Sequence, residues 1–393
     1  MISYKIFKGK NLKCLMLLMA FFSLNVAVAD PIAYIDDMGI GKMVEMDAQT
    51  NTETGAEYPP GSNPLGVRLD GRHLYLISYY GLDVFDTVSK ELVTTLSGSR
   101  ATSLALHPTS GLMYLGRWNS DLIEVIDTET YAVVASIPLA LANESRLVQV
   151  KLSPATNKLY VVSGPFNAHN ITTIDTATNT VIQTVPTPVA HAPKFVVDPT
   201  GSILYFYNYK DFVAVDATTM SVIETLALNP QPQKVEIDAS GERAYVKNNF
   251  GLYIIDTNTM TVINDVVVTD SSVRLYDMAI HPNGELAYLT GYGYVSGVGY
   301  QGVVFIVDLT SASLVETVRF GSMFGRIAFG PAPEFVGGSV TGMTPTNVEC
   351  YNNSTGQIIS ISPIIEASWD CETAGLNVNS GDSISISVTG PAK

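Results

Sequence analysis

Three basic residues recur at one position of a repeated, short apolar segment, in a chain that has few cations. Lysine and arginine number 22 against 37 aspartates and glutamates, and the formal net charge is −15. Lys194, Lys234 and Arg326 each stand at the start of such a segment, four residues before its last position. Basic side chains that converge in an acidic protein favour an anionic ligand such as a carboxylate.

The same position carries other residue types in the remaining copies of the segment: Gly66, Ser103, Gln149 and Asp277. A repeat that accepts glycine, serine and glutamine here does not itself require a cation, so the three charges are candidates for function. A second interpretation stays open at this point. The cations would then pair with Asp277 or with nearby backbone carbonyls, and would only hold water.

The segments belong to a repeat of four β-strands. One strand is centred on a tyrosine with apolar flanks, at Tyr34, Tyr75, Tyr114, Tyr160, Tyr205, Tyr245 and Tyr288. The next strand ends in an aspartate, at Asp47, Asp86, Asp127, Asp175, Asp216, Asp256 and Asp308. The two signals alternate at intervals of about 40 to 50 residues, and such sheets, apolar on both faces, must stack on copies of themselves.

The pattern of Leu-Tyr-Val followed by Val-Ile-Asp-Thr resembles the YVTN repeat family (YncE-type) of seven-bladed β-propellers, found in secreted and surface-layer-like proteins. The resemblance covers about three hundred residues and implies an all-β, seven-bladed β-propeller over residues 30–332. The first tyrosine–aspartate unit has no innermost strand before it, and Arg326–Phe329 has no outer strands after it. We therefore expect Arg326–Phe329 to pair with Ile32–Ile35 and to close the ring.

In a propeller of this kind, the innermost strands begin at the face that bears the loops between blades. The column of Lys194, Lys234 and Arg326 is therefore expected to ring the mouth of the central channel. The loops at this face are rich in aromatic and polar residues, a composition typical of binding surfaces; the alternative is that the aromatic side chains close over loop cores. These residues are Tyr79, Tyr80, Trp118, Asn119, Phe166, His169, Tyr207, Tyr209, Asn248, Tyr292, Tyr294 and Tyr300.

The seven aspartates and seven tyrosines are interpreted as structural, because they occur in every copy. An aspartate at a hairpin corner accepts backbone N–H groups two residues on. The tyrosines are expected to pack between blades, with each hydroxyl finding a local partner. No histidine pair has ligand spacing, and the sequence has neither a C-x-x-C-H haem motif nor a G-x-S-x-G nucleophile elbow. We expect no metal site and no cofactor.

The two ends of the chain differ from the repeats. Residues 1–29 are predicted to be a signal peptide, with a basic start, an apolar stretch at Cys14–Val26 and an Ala27-Val28-Ala29 cleavage site; the alternative is a membrane anchor. Residues 333–393 are predicted to form a small β-sandwich-like domain. Cys350 and Cys371, the only cysteines left after cleavage, are expected to form a disulfide, with two free thiols as the alternative.

The leading functional interpretation is an exported, non-enzymatic propeller, located in the periplasm, outside the cell or at its surface. Its channel mouth would bind a protein, a glycan or a small anion; no nucleic acid is expected, and no membrane span after cleavage. The fold is shared with lactone hydrolases, which implies an alternative reaction at the same mouth with His191, Arg326 and Asp277. A third possibility is an accessory subunit of a periplasmic redox enzyme. The predicted ligand-binding residues are Gln149, His191, Lys194, Lys234, Asp277, Arg326, Trp118 and Tyr209.

Overall fold

The structure is a computed structural model in which two compact units are distinguished. One unit runs from Ala33 to Phe329, and the other combines Met1–Ile32 with Gly330–Lys393. The structure describes residues 2–6, 24–25, 31–58, 66–69, 72–87, 89–139, 146–165, 168–189, 194–330, 337–340, 347–352, 358–361, 368–370 and 384–389.

The larger unit is a seven-bladed β-propeller, in which each blade is a four-stranded antiparallel sheet. Blades are numbered along the chain, and their strands are given from the channel outwards. Blade 1 contains Phe324–Phe329, Ile32–Asp37, Lys42–Asp47 and Thr52–Tyr58; blade 2 contains Gly66–Leu69, His73–Ser78, Gly81–Asp86 and Leu92–Ser97. Blade 3 contains Ala101–Leu106, Leu112–Arg117, Leu122–Asp127 and Val133–Pro138; blade 4 contains Arg146–Ser153, Lys158–Gly164, Asn170–Asp175 and Thr180–Pro186; blade 5 contains Lys194–Val197, Ile203–Tyr207, Asp211–Asp216 and Val222–Ala227. Blade 6 contains Lys234–Ile237, Arg243–Lys247, Gly251–Asp256 and Thr261–Val267; blade 7 contains Val273–Ile280, Leu286–Val295, Gly299–Asp308 and Ser313–Phe320. A short 3₁₀ helix, Pro154–Thr156, joins the first two strands of blade 4.

The repeated tyrosines lie in the apolar cores between neighbouring blades. Tyr205 of blade 5 packs with Val235 and Ile255 of blade 6, and Tyr288 of blade 7 packs with Ile35 of blade 1. All seven repeated tyrosines are at most 4% exposed. Burying large aromatic surfaces between sheets is what makes each blade depend on the next. The prediction that these tyrosines are core residues is confirmed.

One part of that prediction is wrong, because two of the tyrosine hydroxyls have no local partner. The Tyr288 hydroxyl lies 2.8 Å from the Asn51 side-chain oxygen. In the described part of the chain, however, the buried hydroxyls of Tyr114 and Tyr160 lack a hydrogen-bond partner.

The ring is closed by the strand pairing expected from the sequence. Phe324–Phe329 pairs antiparallel with Ile32–Asp37, with Phe329 opposite Ala33 and Ile327 opposite Ile35. The carboxylate of Asp37 accepts hydrogen bonds from the backbone N–H groups of Ser322 (2.8 Å) and Met323 (3.1 Å). Blade 1 is thus assembled from both ends of the propeller unit, and Ile32–Asp37 does not become an exposed edge.

The repeated aspartates act as turn residues in all seven blades. Each side chain accepts a backbone N–H group two or three residues further on, as Asp216 does from Thr218 (2.9 Å) and Thr219 (2.7 Å). The same contacts are made by Asp47, Asp86, Asp127, Asp175, Asp256 and Asp308. These hydrogen bonds stabilise the charged carboxylate, and they hold the pKa of Asp216 below its ordinary value.

Asp216→Ala is expected to lower the free energy of unfolding by about 1 kcal/mol at neutral pH, the usual effect of losing a side chain that caps backbone N–H groups. Because the folded-state pKa of Asp216 is lowered, its contribution is present above the unfolded-state pKa and lost as the pH falls through the folded-state value. Urea unfolding at pH 7 and pH 3 measures this, with Asp216→Asn as the control that keeps an acceptor. Equal losses at both pH values would contradict the argument.

The smaller unit contains strands from both termini. Gly337–Val340, Asn347–Asn352, Ile358–Ile361, Ser368–Asp370 and Ile384–Thr389 follow the propeller in the chain. Ile2–Ile6 pairs with Ile384–Thr389, and Leu24–Asn25 pairs with Gly337–Val340. The signal peptide stays a prediction, and cleavage after Ala29 would remove these two N-terminal strands. The Cys350–Cys371 disulfide stays a prediction, because Cys371 lies outside the described residues. No helix long and apolar enough to cross a membrane occurs among those that are described.

Candidate functional site at the channel mouth

The predicted column lies on the innermost strands, and several of its side chains link one blade to the next. Gly66, Lys194 and Lys234 open their strands. The other members lie two to four residues inside theirs: Ser103, Gln149, Asp277 and Arg326. Gln149 accepts the backbone N–H of Phe195 through Oε1 at 2.8 Å. Ser103 accepts the N–H of Val150 at 3.0 Å. Asp277 accepts the N–H of Ile327 at 3.2 Å. For these three positions, the column therefore has a structural role that the sequence analysis did not predict.

Lys234 contacts two carboxylates. This agrees with the second interpretation of the sequence, in which the cations pair with Asp277. Its ammonium lies 2.8 Å from Asp277 Oδ1 and 3.3 Å from Glu236 Oε1. Burial of the Asp277 carboxyl works to raise its pKa, but the charge and hydrogen bond of Lys234, with the Met278 N–H and Arg326, hold that pKa below its ordinary value. Asp277 is therefore an ionised, buried partner of Lys234.

Lys247 belongs to the same cluster and was missed by the sequence analysis. It stands directly opposite Lys234 in the ladder of blade 6 and is completely buried. Its ammonium donates hydrogen bonds to the side-chain oxygen of Gln233 and to the carbonyl of Asn248. Burial lowers the pKa of Lys247 to about 8, with Lys234 and Lys194 among the neighbouring cations that contribute. We name Lys194, Lys234, Lys247 and Arg326 the cation cluster.

A sequence signal for Lys247 existed in the second strand of each blade. The position two residues after the repeated tyrosine lies opposite the predicted column in the sheet. Its occupants are Asp36, Ile77, Gly116, Val162, Tyr207, Lys247 and Thr290. Lysine and aspartate are the two charged exceptions at this otherwise uncharged position. A comparison of the seven residues at this position would have identified both Asp36 and Lys247.

Asp36 is the second charged residue at this position, and the positive charge of Arg326 acts on its carboxyl group. The Asp36 side chain is 1% exposed, and its Oδ1 has no hydrogen-bond partner within the described ranges. Burial raises the pKa of Asp36 to about 7, while Arg326 opposes that rise. The Arg326 guanidinium lies 5.8 Å from the centre of the Tyr276 ring. At neutral pH, Asp36 therefore offsets only part of the positive charge of Arg326.

Lys194 differs from the other members of the cation cluster in being exposed. The protein around it still disfavours its charge: burial lowers the pKa of Lys194, Arg326 and Lys234 lower it further, and Asp277 opposes them. Lys194 opens the innermost strand of blade 5, and the charges that act on it belong to residues of blades 1, 6 and 7. Within the described residues, no hydrogen bond or ion pair engages its ammonium.

Three further predicted site residues are Trp118, Tyr209 and His191. Trp118 stacks on the Arg100 guanidinium, whose central carbon lies 4.7 Å from the Trp118 ring and 4.4 Å from that of Tyr79. Tyr209 is 65% exposed on a loop of blade 5. His191 lies outside the described residues. The candidate site is therefore the cation cluster, and a binding role for Trp118 and Tyr209 stays a prediction.

The described ranges contain no group of three or more His, Cys, Asp or Glu side chains arranged to hold a metal ion. The chemistry that the cluster offers is electrostatic. Four basic side chains and three acidic ones, Asp36, Glu236 and Asp277, come together, and one of the acids has a pKa of about 7. The cluster thus has a local excess of positive charge in an acidic chain.

Comparison with known proteins supports the fold. No family model matches the chain, and no curated protein matches it. Among solved structures, dihydro-heme d1 dehydrogenase NirN in complex with DHE is 14% identical, with a TM-score of 0.56 over 77% of this chain and 75% of that one. A functionally unknown protein from Desulfotomaculum acetoxidans DSM 771 is 12% identical, with a TM-score of 0.58 over 76% and 98%.

The β-propeller domain of Cps50 (Swd1) from Myceliophteria thermophila is 13% identical, with a TM-score of 0.56 over 84% of this chain and 97% of that domain. At such low identity these similarities show a shared fold and nothing about ligands. The YVTN family stays a resemblance carried by the tyrosine and aspartate repeats. What the comparisons and the structure establish together is that this chain contains a seven-bladed β-propeller.

Proposed function

We propose that this protein is an exported propeller scaffold that binds a small carboxylate at the channel mouth. The observation that carries the proposal is Lys194, an exposed lysine that opens the innermost strand of blade 5 and has no ion pair in the described part of the chain. Lys234 opens the equivalent strand of the next blade. A bound carboxylate would supply the missing partner. Charge-assisted hydrogen bonds in such concave sites are among the stronger polar contacts in proteins.

The size of the charge excess favours a small acid over a polyanion. Lys234 already contacts Asp277 and Glu236, and the Lys247 ammonium is bonded within blade 6. Much of the positive charge is therefore balanced inside the protein. Nucleic acids present continuous rows of phosphates, which the overall acidity of the chain would repel.

Two other interpretations have less support. A lactone hydrolase would need a proton donor or a base at the mouth, but Asp277 is buried, ionised and hydrogen-bonded through both oxygens. An accessory role for a redox enzyme rests on family resemblance alone. Export itself rests on the predicted signal peptide, and N-terminal sequencing of protein recovered from outside the cytoplasm tests it: a mature chain that begins at Asp30 is expected.

Lys194→Gln is expected to weaken carboxylate binding by about 10-fold to 100-fold, because a hydrogen bond to a charged group contributes roughly 1.5–3 kcal/mol. Stability should change little, since the side chain is exposed and makes no ion pair among the described residues. Isothermal titration calorimetry with acetate, pyruvate, lactate and succinate measures the affinity. Thermal unfolding measures stability.

Lys210→Gln is the matched control, because Lys210 is an exposed lysine of the same blade. It removes the same charge from the whole protein and should leave the affinity unchanged. If no acid of the panel binds the wild-type protein, or if the two variants lose affinity equally, the proposed function is wrong.

A further inference from the structure

A cavity of about 530 Å³ lies between blades 5 and 6, and none of the residues that line it belongs to the cation cluster. Tyr205 and Ala214 of blade 5 and Met260 of blade 6 are buried residues of its lining. Small-molecule sites in proteins usually have volumes of roughly 300–1,000 Å³. The cavity, which we name the blade 5–6 cavity, is therefore large enough for a small ligand.

The blade 5–6 cavity lies where blade 5 has the smallest side chain of a repeated position. Ala214 is directly opposite Tyr205 in the sheet. The position two residues before the repeated aspartate has larger side chains in the other blades: Glu45, Val84, Val125, Thr173, Ile254 and Ile306. Because Ala214 lacks this volume, space is left between Tyr205 and the turn of blade 6 that carries Met260.

The lining of the blade 5–6 cavity is acidic. It includes Asp198, Glu224 and Glu242, and no lysine, arginine or histidine of the described chain. Asp198 is engaged by backbone N–H groups of its own turn. Glu224 and Glu242 are exposed, and neither has an ion pair among the described residues. These two carboxylates are therefore accessible to a cationic ligand.

The equivalent space between blades 1 and 2 shows which chemical group fits there. Lys90 has, in blade 2, the turn position that Met260 has in blade 6. The Lys90 ammonium is bonded to the carboxylate of Glu45, which stands where blade 5 has Ala214. The same ammonium lies 5.5 Å from the centre of the Tyr58 ring. A lysine side chain thus fits between two blades of this propeller when a carboxylate meets its ammonium.

We propose that the blade 5–6 cavity binds an alkylammonium group, supplied by a free aliphatic diamine or by a lysine side chain of a partner protein. Tyr205, Ala214 and Met260 contact the aliphatic stem, and Glu224 and Glu242 pair with the ammonium. This inference does not depend on the proposed function, because the two sites share no residue. The propeller then has a second site, with the opposite charge preference.

The test uses the full chain and cadaverine, the diamine that has the side chain of lysine. A saturation-transfer NMR titration at low ionic strength measures the Kd. The double variant Glu224→Gln/Glu242→Gln is expected to bind cadaverine about tenfold more weakly, because two ion pairs that are accessible to solvent are lost.

The matched control is Glu285→Gln/Glu316→Gln, which changes the same two repeat positions in blade 7. It removes the same charge from the whole protein and should leave the affinity for cadaverine unchanged. In blade 7 the protein itself occupies this place. Ile306 stands where blade 5 has Ala214, and the Asn51 amide already donates a hydrogen bond to Glu316 at 2.7 Å.

Ala214→Val tests the cavity by its volume instead of its charge. Blades 2 and 3 have valine at this position, as Val84 and Val125, so the variant should unfold at the temperature of the wild type. It should nonetheless lose much of its affinity for cadaverine, because the added methyl groups fill the space.

A wild-type protein that does not bind cadaverine would overturn the inference. So would equal losses of affinity in the two double variants, wild-type affinity in Ala214→Val, or equally tight binding of pentanol, which has the stem without the charge. A lysine peptide with acetylated and amidated ends distinguishes the two sources. Tighter binding of this peptide than of cadaverine supports a lysine of a partner protein, and tighter binding of cadaverine supports a free amine.

Discussion

A chain that ends at residue 323 is expected to lose the cooperative unfolding transition of the propeller, whereas a chain that ends at Gly330 is expected to keep it. The six residues Phe324–Phe329 supply the innermost strand of blade 1. Phe324 is fully buried and Ile327 is 3% exposed, and both pack in the core that joins blades 7 and 1. Without them, the sheet of Ile32–Asp37 ends in an unpaired edge.

The expected loss of stability exceeds the free energy of unfolding that a domain usually has. Truncating one buried phenylalanine typically costs about 3–5 kcal/mol, and the whole stability of a domain is about 5–15 kcal/mol. The deletion also removes the Gly325 carbonyl, which accepts a hydrogen bond from the Thr290 hydroxyl. It removes the Ile327 N–H as well, which donates a hydrogen bond to the Asp277 carboxylate. Circular dichroism during heating, with size-exclusion chromatography, measures the outcome. A shortened chain that unfolds cooperatively at the temperature of the longer one would contradict the role given to this strand.

The closure could be predicted because it depends on counting strands. In each repeat, a tyrosine marks the second strand and an aspartate marks the end of the third. The first repeat lacks an innermost strand, and one extra strand of that type follows the seventh repeat, so the extra strand is expected to complete the first repeat. The hairpin aspartates were predictable for a related reason. Their hydrogen bonds reach only two or three residues along the chain, and such local contacts are encoded locally.

The candidate site was predicted only in part, because its contacts cross between blades. Lys234 meets Asp277 of the next blade, and nothing in the segment around either residue specifies that pairing. Lys247 and Asp36 are buried charges on the second strand, where the periodicity of the sequence predicts an apolar core residue. The repeat accepts glycine, serine and glutamine at the position of Lys234, yet in this blade the lysine balances the buried carboxylate of Asp277 at 2.8 Å.

The site also shows how an acidic protein can keep a locally positive channel. The seven repeated aspartates lie at hairpin turns, where backbone N–H groups bind their carboxylates. The channel instead receives basic residues from blades 1, 5 and 6. Where charges are buried, as those of Lys247 and Asp277 are, each acts over a longer range than at the surface. The pKa of Lys194 responds to residues on three other blades for this reason.

Lys234→Gln is expected to lower the free energy of unfolding by about 3 kcal/mol at pH 8, the low end of the range for breaking a buried ion pair, because Lys234 is itself partly exposed. The change leaves the Asp277 carboxylate, 9% exposed, without its main counter-ion. Arg326 and the Met278 N–H remain, but they come after Lys234 among the interactions that lower the pKa of Asp277.

The pH dependence of that loss identifies its cause. In the wild-type protein, the lowered folded-state pKa of Asp277 contributes stability above the unfolded-state pKa, and this is lost only as the pH falls through the folded-state value. Without Lys234, burial dominates and the folded-state pKa rises above the unfolded one. The folded variant then takes up a proton as the pH falls, so its deficit relative to the wild type should be smaller at pH 5 than at pH 8.

Urea unfolding of both proteins at pH 5 and pH 8 measures the two differences, and contributions from histidines cancel because they are common to both. The double variant Lys234→Gln/Asp277→Asn is the matched control: the asparagine oxygen can still accept the Ile327 N–H, but no buried charge remains. It should be more stable than Lys234→Gln at pH 8, with a deficit that no longer depends on pH. A deficit of Lys234→Gln that is equal at both pH values, or a double variant as unstable as the single one, would show that Lys234 contributes by packing and not by its charge.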